Sequence, residues 1–321
     1  MFDNIYLIFN PVSGQGDAAT ELAIIREEIE SKTSLTVLET RPEMSARKLA
    51  DEAIAQGADC IIASGGDGTV STVAGAILNT ETCLGIVPRG TANAIAAAFG
   101  IATDLRTACQ TVLEGIPRKI DMASCNGEPL MLLAGVGLEA DVISQANRQL
   151  KNKMGTAAYI LSAFRQVREL SVFKVQLETP SRIISVEASG VTVANVAPPT
   201  SVLAQGPSDV LPYDGLLDVT IFSPEGTGGA IAASYSLFQS AVNKRSTQRE
   251  DVGYFRCSAV KITTEPPQEV VLDGEIVGQT PIDIQCIEQG ITLMTPENGG
   301  TFNPLEKLEG LPGLEISYKD V

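Results

Sequence analysis

The residues best placed to do chemistry form a glycine-rich turn, Ser64-Gly65-Gly66-Asp67-Gly68-Thr69. It joins the apolar, strand-like run Cys60-Ile61-Ile62-Ala63 to a stretch with helical spacing, Val70, Val73, Ala74, Ile77 and Leu78. Glycine lets a backbone approach a ligand closely and reach positive φ. The first N–H groups of a helix, helped by its dipole, favour an anion such as phosphate. Thr69 suits a helix cap or a phosphate oxygen. Asp67 beside phosphates makes sense as a partner of magnesium or as the acceptor of a hydroxyl proton. The hexad alone is also compatible with a plain strand-to-helix turn capped by an aspartate. It is neither a P-loop, which ends Gly-Lys-Ser/Thr, nor a G-x-G-x-x-G fingerprint.

Two further turns strengthen the phosphate reading. Asn10-Pro11-Val12-Ser13-Gly14 follows the strand-like run Ile5–Phe9, and Pro88-Arg89-Gly90-Thr91-Ala92-Asn93 follows Leu84–Val87. All three fall at carboxyl ends of strands expected in one parallel sheet, the edge where open α/β sheets bind ligands. Arg89 is read either as a phosphate contact or as a surface arginine. The chain contains no histidine. That excludes a Ser-His-Asp triad, a Cys-His pair and histidine-ligated zinc, so proton transfer falls to carboxylates, lysine, tyrosine or water.

The elements that must position these turns divide the chain. Over the first 120 or so residues, strand and helix patterns alternate, which implies a doubly wound parallel sheet covered on both faces. Beyond that come short β-rich runs separated by turn signals, including residues 173–177, 190–196, 217–222 and 259–264, with one helix expected over about 156–170. This suggests an antiparallel sandwich or open barrel. The expected organisation is an α/β domain over 1–122, a β-rich domain over 123–297 and an irregular extension over 298–321. The net charge of −16 argues against nucleic acid as a partner. No cysteine pair has C-x-x-C spacing, which argues against a zinc site, and several of the six cysteines sit in apolar strand-like runs, as reduced core thiols do. Met1-Phe2-Asp3-Asn4 is not basic and the following apolar run is short, which points to a cytoplasmic protein without a secretory signal.

Taken in order, Asn-Pro-x-Ser-Gly, Gly-Gly-Asp-Gly-Thr and Pro-x-Gly-Thr-x-Asn resemble the diacylglycerol kinase catalytic domain family, of the soluble bacterial lipid kinase type, with sphingosine and NAD kinases further off. The likeness continues in Leu211-Pro212-Tyr213-Asp214-Gly215-Leu216-Leu217-Asp218 and in Val271-Leu272-Asp273-Gly274-Glu275. It implies a nucleotide domain and a β-rich domain with ATP in a cleft between them. By resemblance Asn10, Pro11, Ser13, Gly14, Thr40, Gly65, Gly66, Asp67, Gly68, Thr69, Ser71 and Thr91 would contact ATP. Asp67 would orient magnesium-ATP, and Asp273 or Glu275 would act as general base on the acceptor hydroxyl. A second magnesium would be held by Asp214 with the backbone carbonyls of Leu211 and Leu216. Without the resemblance, Asp273-Gly274 and Asp214-Gly215 read simply as turns. The chain departs from the family pattern at Gln15 and Gly16, where a basic residue is usual, and at Ser71, Thr72 and Ala94.

The resemblance implies an ATP-dependent kinase of a lipid hydroxyl, with diacylglycerol the default acceptor, acting peripherally at a membrane and compatible with a homodimer. Arg148, Lys151, Lys153, Arg165 and Arg168 surround an amphipathic pattern that would suit anionic lipid, or would simply pack on the β domain. The alternatives are a kinase of a soluble acceptor such as NAD, and a non-catalytic nucleotide- or lipid-binding regulator.

Overall fold

The computed structural model describes residues 2–14, 16–138, 171–197, 201, 203–205, 210–243, 247–296 and 306–319. The basic stretch around 148–168 and most of the loop 202–210 lie outside them. The chain forms two compact units, one of Met1–Met122 with Glu288–Gly300, the other of Ala123–Ile287 with Thr301–Val321.

The first unit is the doubly wound sheet. Strands β1 (Asn4–Phe9), β2 (Ser34–Glu39), β3 (Cys60–Gly65) and β4 (Cys83–Pro88) are all parallel, in the order β2-β1-β3-β4. The end of β16 (Ile282–Thr295) pairs parallel with β4 through Thr292 and Leu293. β3 and β4 are buried along their whole length, as continuous apolar runs in a sheet covered on both faces should be. Helix α1 (Ala18–Glu30) packs against α5 (Leu105–Glu114), and α2 (Ala46–Ala55) against α3 (Asp67–Ala76); a short α4 (Ala94–Ala98) follows β4. Gly85 of β4 lets α5 come close, since a Cβ there would lie 2.9 Å from a Val112 methyl. Ile61 and Ile62 are fully buried, and each contributes roughly 1.5–3 kcal/mol. The chain leaves β1 for β2 on one side and returns to β3 on the other. The sheet's switch point therefore lies between β1 and β3, with the turns Asn10–Gly14 and Gly65–Thr69 on either side of it.

The second unit is an antiparallel sandwich. One sheet holds β9 (Arg182–Ala188), β8 (Phe173–Glu178), β13 (Ala259–Glu265) and the start of β16. The other runs β12 (Val252–Cys257), β11 (Leu217–Phe222), β10 (Gly190–Ala194), β7 (Leu133–Gly137), β14 (Glu269–Leu272), β15 (Glu275–Gln279). Inward residues of both sheets, among them Val175, Leu177, Ile184, Val193, Val219, Ile262 and Ile284, form one core. A hairpin joins β5 (Ile116–Cys125) to β6 (Glu128–Leu130).

Two expectations need correcting. The C-terminal tail is no irregular appendage. Leu308 and Leu311 are buried in the sandwich core, and β17 (Glu315–Tyr318) adds an antiparallel strand beside β9. A helix not expected from the sequence, α6 (Gly226–Asn243), follows β11. Gly226, Gly228 and Gly229 at its start look like a loop signal, but Ala230, Ala233 and Leu237 bury a helical face against Phe222, Val252 and Leu138. No helix among the described residues is long and apolar enough to cross a membrane.

Candidate active site

The three glycine turns interlock at the carboxyl ends of β1, β3 and β4. The Asn10 N–H donates to the Ser64 carbonyl at 2.9 Å, and the Arg89 N–H donates to the Gly65 carbonyl at 2.8 Å. Both bonds extend the sheet ladder into the turns. Asn10 then works with its side chain: Nδ2 donates to Thr69 Oγ1 at 3.1 Å, while Oδ1 accepts the Val12 N–H at 3.2 Å. The second and third turns touch where neither has a side chain. A Cβ on Gly90 would fall 2.5 Å from the Gly66 Cα, and one on Gly65 would fall 2.5 Å from Thr69 Oγ1. These glycines are therefore packing requirements as much as devices for approaching a ligand.

α3 begins at this junction without a side-chain cap on Gly66. The other long helices of the unit are capped by Asp17, Ser45 and Asp104. Gly66 has no side chain to accept the first N–H groups of α3, an arrangement that suits an anion, while the Thr69 N–H turns back to the Gly66 carbonyl at 3.0 Å. Asp67 stands in that first turn, and its Oδ1 accepts the Ile95 N–H of α4 at 2.9 Å, which holds the carboxylate at the rim. Asn93, at φ +47°, closes the third turn by accepting the Gly90 N–H at 2.7 Å and donating to its carbonyl at 2.9 Å. Gly14, Gly68 and Thr91 are exposed along this edge, and Pro11, Ser13, Thr40 and Ser71 are half-buried. Thr40 is drawn in by its N–H, which donates to the Phe9 carbonyl at 2.9 Å. Thr69 does not cap α3. It is buried, and its hydroxyl accepts from Asn10 beneath the turn.

Arg89 is neither a surface arginine nor placed as a phosphate contact. Its side chain is 1% exposed and stacks on the Phe9 ring, 4.1 Å from the centroid. Nη1 donates to the Asn10 carbonyl at 2.9 Å, Nη2 to the Ser13 carbonyl at 3.0 Å and Nε to Glu21 at 2.6 Å. Glu21 carries no motif signal, and only the fold brings it under the turn.

In the second unit, Asp273 and Gly274 form the two-residue turn between β14 and β15, with φ of +46° and +93°. Such a hairpin turn favours Asp-Gly, so the plain reading of the dipeptide holds. The Asp273 side chain does more than turn the chain. Its Oδ2 accepts the Met131 N–H at 2.9 Å, and its Oδ1 accepts those of Leu132 and Leu133 at 2.8 and 3.1 Å. Asn195 grips the same segment, donating from Nδ2 to the Met131 carbonyl and from its N–H to the Leu132 carbonyl. Glu275, two residues on, is exposed at the start of β15.

Asp214 answers less well to its expected role. Its Oδ1 accepts the Leu216 N–H at 3.1 Å, and its Oδ2 accepts Arg256 Nη1 at 2.8 Å. Arg256 also donates from Nε to Asp218 at 3.0 Å. Burial pushes the Asp218 carboxyl up to about 7, against the pull of the Arg256 charge. Magnesium binds several hard oxygens, and a guanidinium on the one carboxylate of the set repels it. Asp214 with Leu211 and Leu216 is thus a poor fit for the second magnesium. Among the described residues no three acidic, cysteine or histidine groups cluster as a metal site. Sequence reasoning missed Arg256, whose only signal was a lone arginine in an apolar strand.

Comparison with known proteins follows this division. Residues 4–125 match the diacylglycerol kinase catalytic domain family, and residues 133–295 match the family of YegS C-terminal, NAD kinase β-sandwich-like domains. An uncharacterised protein of Synechocystis is 43% identical over 91% of this chain and 70% of its own length. The diacylglycerol kinase of Bacillus subtilis is 28% identical over 91% of this chain and 96% of its own. A crystal structure of a candidate diacylglycerol kinase from Bacillus anthracis superposes with a TM-score of 0.78 at 27% identity, covering 92% of this chain and 98% of that one.

Proposed function

The chain belongs to the diacylglycerol kinase catalytic domain family with a YegS-type C-terminal domain, and on that premise we propose that it transfers the γ-phosphoryl group of ATP to a lipid hydroxyl, with diacylglycerol the first acceptor to consider. The observation that carries the reading is the uncapped start of α3, set among three interlocked glycine turns. Phosphoryl transfer needs positioning and charge stabilisation more than covalent chemistry, and these turns supply amide donors on a rigid sheet edge.

ATP phosphates would lie against the α3 N-terminus and the turns at Asn10–Gly14 and Gly90–Asn93. The residues at this edge fit magnesium-ATP: Asp67 is steadied through one oxygen by Ile95, and its other oxygen is a hard donor suited to magnesium. Magnesium on the phosphates would neutralise charge as the bond to the leaving group lengthens. Of the two candidate bases, Glu275 is the better. It is exposed, whereas both Asp273 oxygens are engaged by backbone amides. Glu275 would take the proton from the acceptor hydroxyl as it attacks. Asp273 would hold the hairpin that carries Glu275. A lipid acceptor further implies that the enzyme works at a membrane surface.

The test is incubation with labelled ATP, magnesium and a panel of diacylglycerol, phosphatidylglycerol, a sphingoid base and NAD, beside Glu275→Gln. Label should appear in a lipid, and kcat should fall roughly 10²- to 10⁴-fold in the variant. Label in NAD alone would refute the lipid reading. ATP binding with no transfer to any acceptor would make the protein a nucleotide-binding regulator.

A further inference from the structure

ATP is strongly anionic, yet the turn Asn10-Pro11-Val12-Ser13-Gly14 and the Gln15-Gly16 that follows it carry no basic side chain. The arginine associated with this turn lies underneath it, stacked on Phe9 and closed off from solvent. Its two terminal nitrogens hold the carbonyls of Asn10 and Ser13, while its backbone N–H holds Gly65 of the neighbouring turn. In a trans peptide, C=O and the next N–H point in opposite directions. With the Ser13 carbonyl drawn onto Arg89, the Gly14 N–H faces away from the guanidinium. Gly14 sits at φ +99°, and a Cβ there would lie 3.1 Å from the Arg89 carbonyl, so the position demands glycine. Gly16 follows the same logic. A Cβ would collide with the Glu21 carboxylate, which is already pinned by Arg89.

We propose that Arg89 is a positioning residue for the nucleotide: it binds no phosphate itself, but ties down the Asn10 and Ser13 carbonyls so that the Gly14 N–H is presented to ATP, while Glu21 cancels its charge. The proposal rests on reading the turns as an ATP site. It assigns the first turn's affinity to amide geometry and not to a cation.

Two substitutions separate geometry from charge. Arg89→Lys keeps the charge and loses the planar fork and the ring stacking. Its Kd for magnesium-ATP by calorimetry should rise about tenfold or more, with kcat at saturating ATP changing by less than about threefold. Glu21→Gln keeps the fork but leaves a buried positive charge uncancelled beneath the phosphates. It should tighten ATP binding by roughly threefold at low salt, and the gain should fade as salt is raised. Wild-type affinity in Arg89→Lys, or weaker binding in Glu21→Gln, would overturn the proposal. So would a loss in Arg89→Lys that falls equally on kcat and on both substrates and tracks a lower melting temperature, since that marks a merely structural residue. A wild-type protein that binds no ATP would instead overturn the proposed function, and this inference with it.

Discussion

Two Asp-Gly dipeptides, Asp67-Gly68 and Asp273-Gly274, lie in the two units and are used in opposite ways. Asp67 accepts one backbone N–H, from Ile95, and stands in the first turn of a helix without a side-chain cap. Asp273 accepts three, from Met131, Leu132 and Leu133, at the tip of a hairpin. On the proposed function, the first region keeps hydrogen-bonding capacity for ATP. The second uses it to fasten its own chain. A dipeptide's role therefore follows from what its carboxylate is left to do after folding, not from its identity.

The largest expected effect tests the first half of that contrast. In Asp67→Asn the amide oxygen can still accept the Ile95 N–H, so the melting temperature should stay at the wild-type value. What disappears is the charge facing magnesium-ATP, and kcat should fall by a hundredfold or more, on the order of other losses of transition-state electrostatics. Steady-state kinetics beside thermal melting reads both. An active Asp67→Asn would make Asp67 another internal fastener and erase the difference between the two units.

A second effect, a dependence of stability on pH, tests whether the carboxylates of the sandwich serve stability. Asp218 is held up to about 7 in the folded state by burial, well above the ordinary range for an aspartate in an unfolded chain. A raised carboxyl favours the folded state while it is protonated. Between about pH 4 and pH 7 the folded chain binds more protons at this site than the unfolded chain does. Its contribution is thus full below pH 4, declines as pH rises through 7 and is constant above that. Urea denaturation of Asp218→Asn, compared with wild type across this range, should lack that part of the downward slope. An unchanged slope would mean that the pairing with Arg256 outweighs burial.

The sequence made the first unit legible because its signals are local. Gly65-Gly66-Asp67-Gly68-Thr69 lies between a strand and a helix that each announce themselves by periodicity, and the parallel run of β1 to β4 follows from their alternation with helices. The interlocking was hidden, since the contact of Gly90 with Gly66 and the burial of Arg89 beside Glu21 join segments about 24 and 68 residues apart in sequence. In the second unit, Asp273 was visible as a turn, but its three amide partners come from a loop some 140 residues earlier. Asn195 and Arg256 gave no pattern, because a single polar residue in an apolar strand shows neither its direction nor its partner. α6 was concealed by its own glycines, which tertiary packing of Ala233 and Leu237 overrides.

The smallest effect is the one that most sharply separates the two dipeptides. Asn tolerates positive φ about as well as Asp, so Asp273→Asn leaves the hairpin turn itself unstrained. The amide oxygen can retain the Leu132 and Leu133 N–H groups. Its NH₂ then confronts the Met131 N–H, donor against donor, at a residue with no solvent exposure. One buried amide without its acceptor costs about 2 kcal/mol, and chemical denaturation should show that loss. If Asp273 only fastens the hairpin, the Asp273→Asn protein that remains folded should still catalyse phosphoryl transfer, with kcat reduced far less than in Glu275→Gln. If Asp273 is itself the base, the order reverses: kcat collapses in Asp273→Asn beyond what its loss of stability accounts for, and Glu275→Gln remains active. Measured together, the two variants decide which carboxylate takes the proton, because fastening is read in denaturant and proton transfer in kcat.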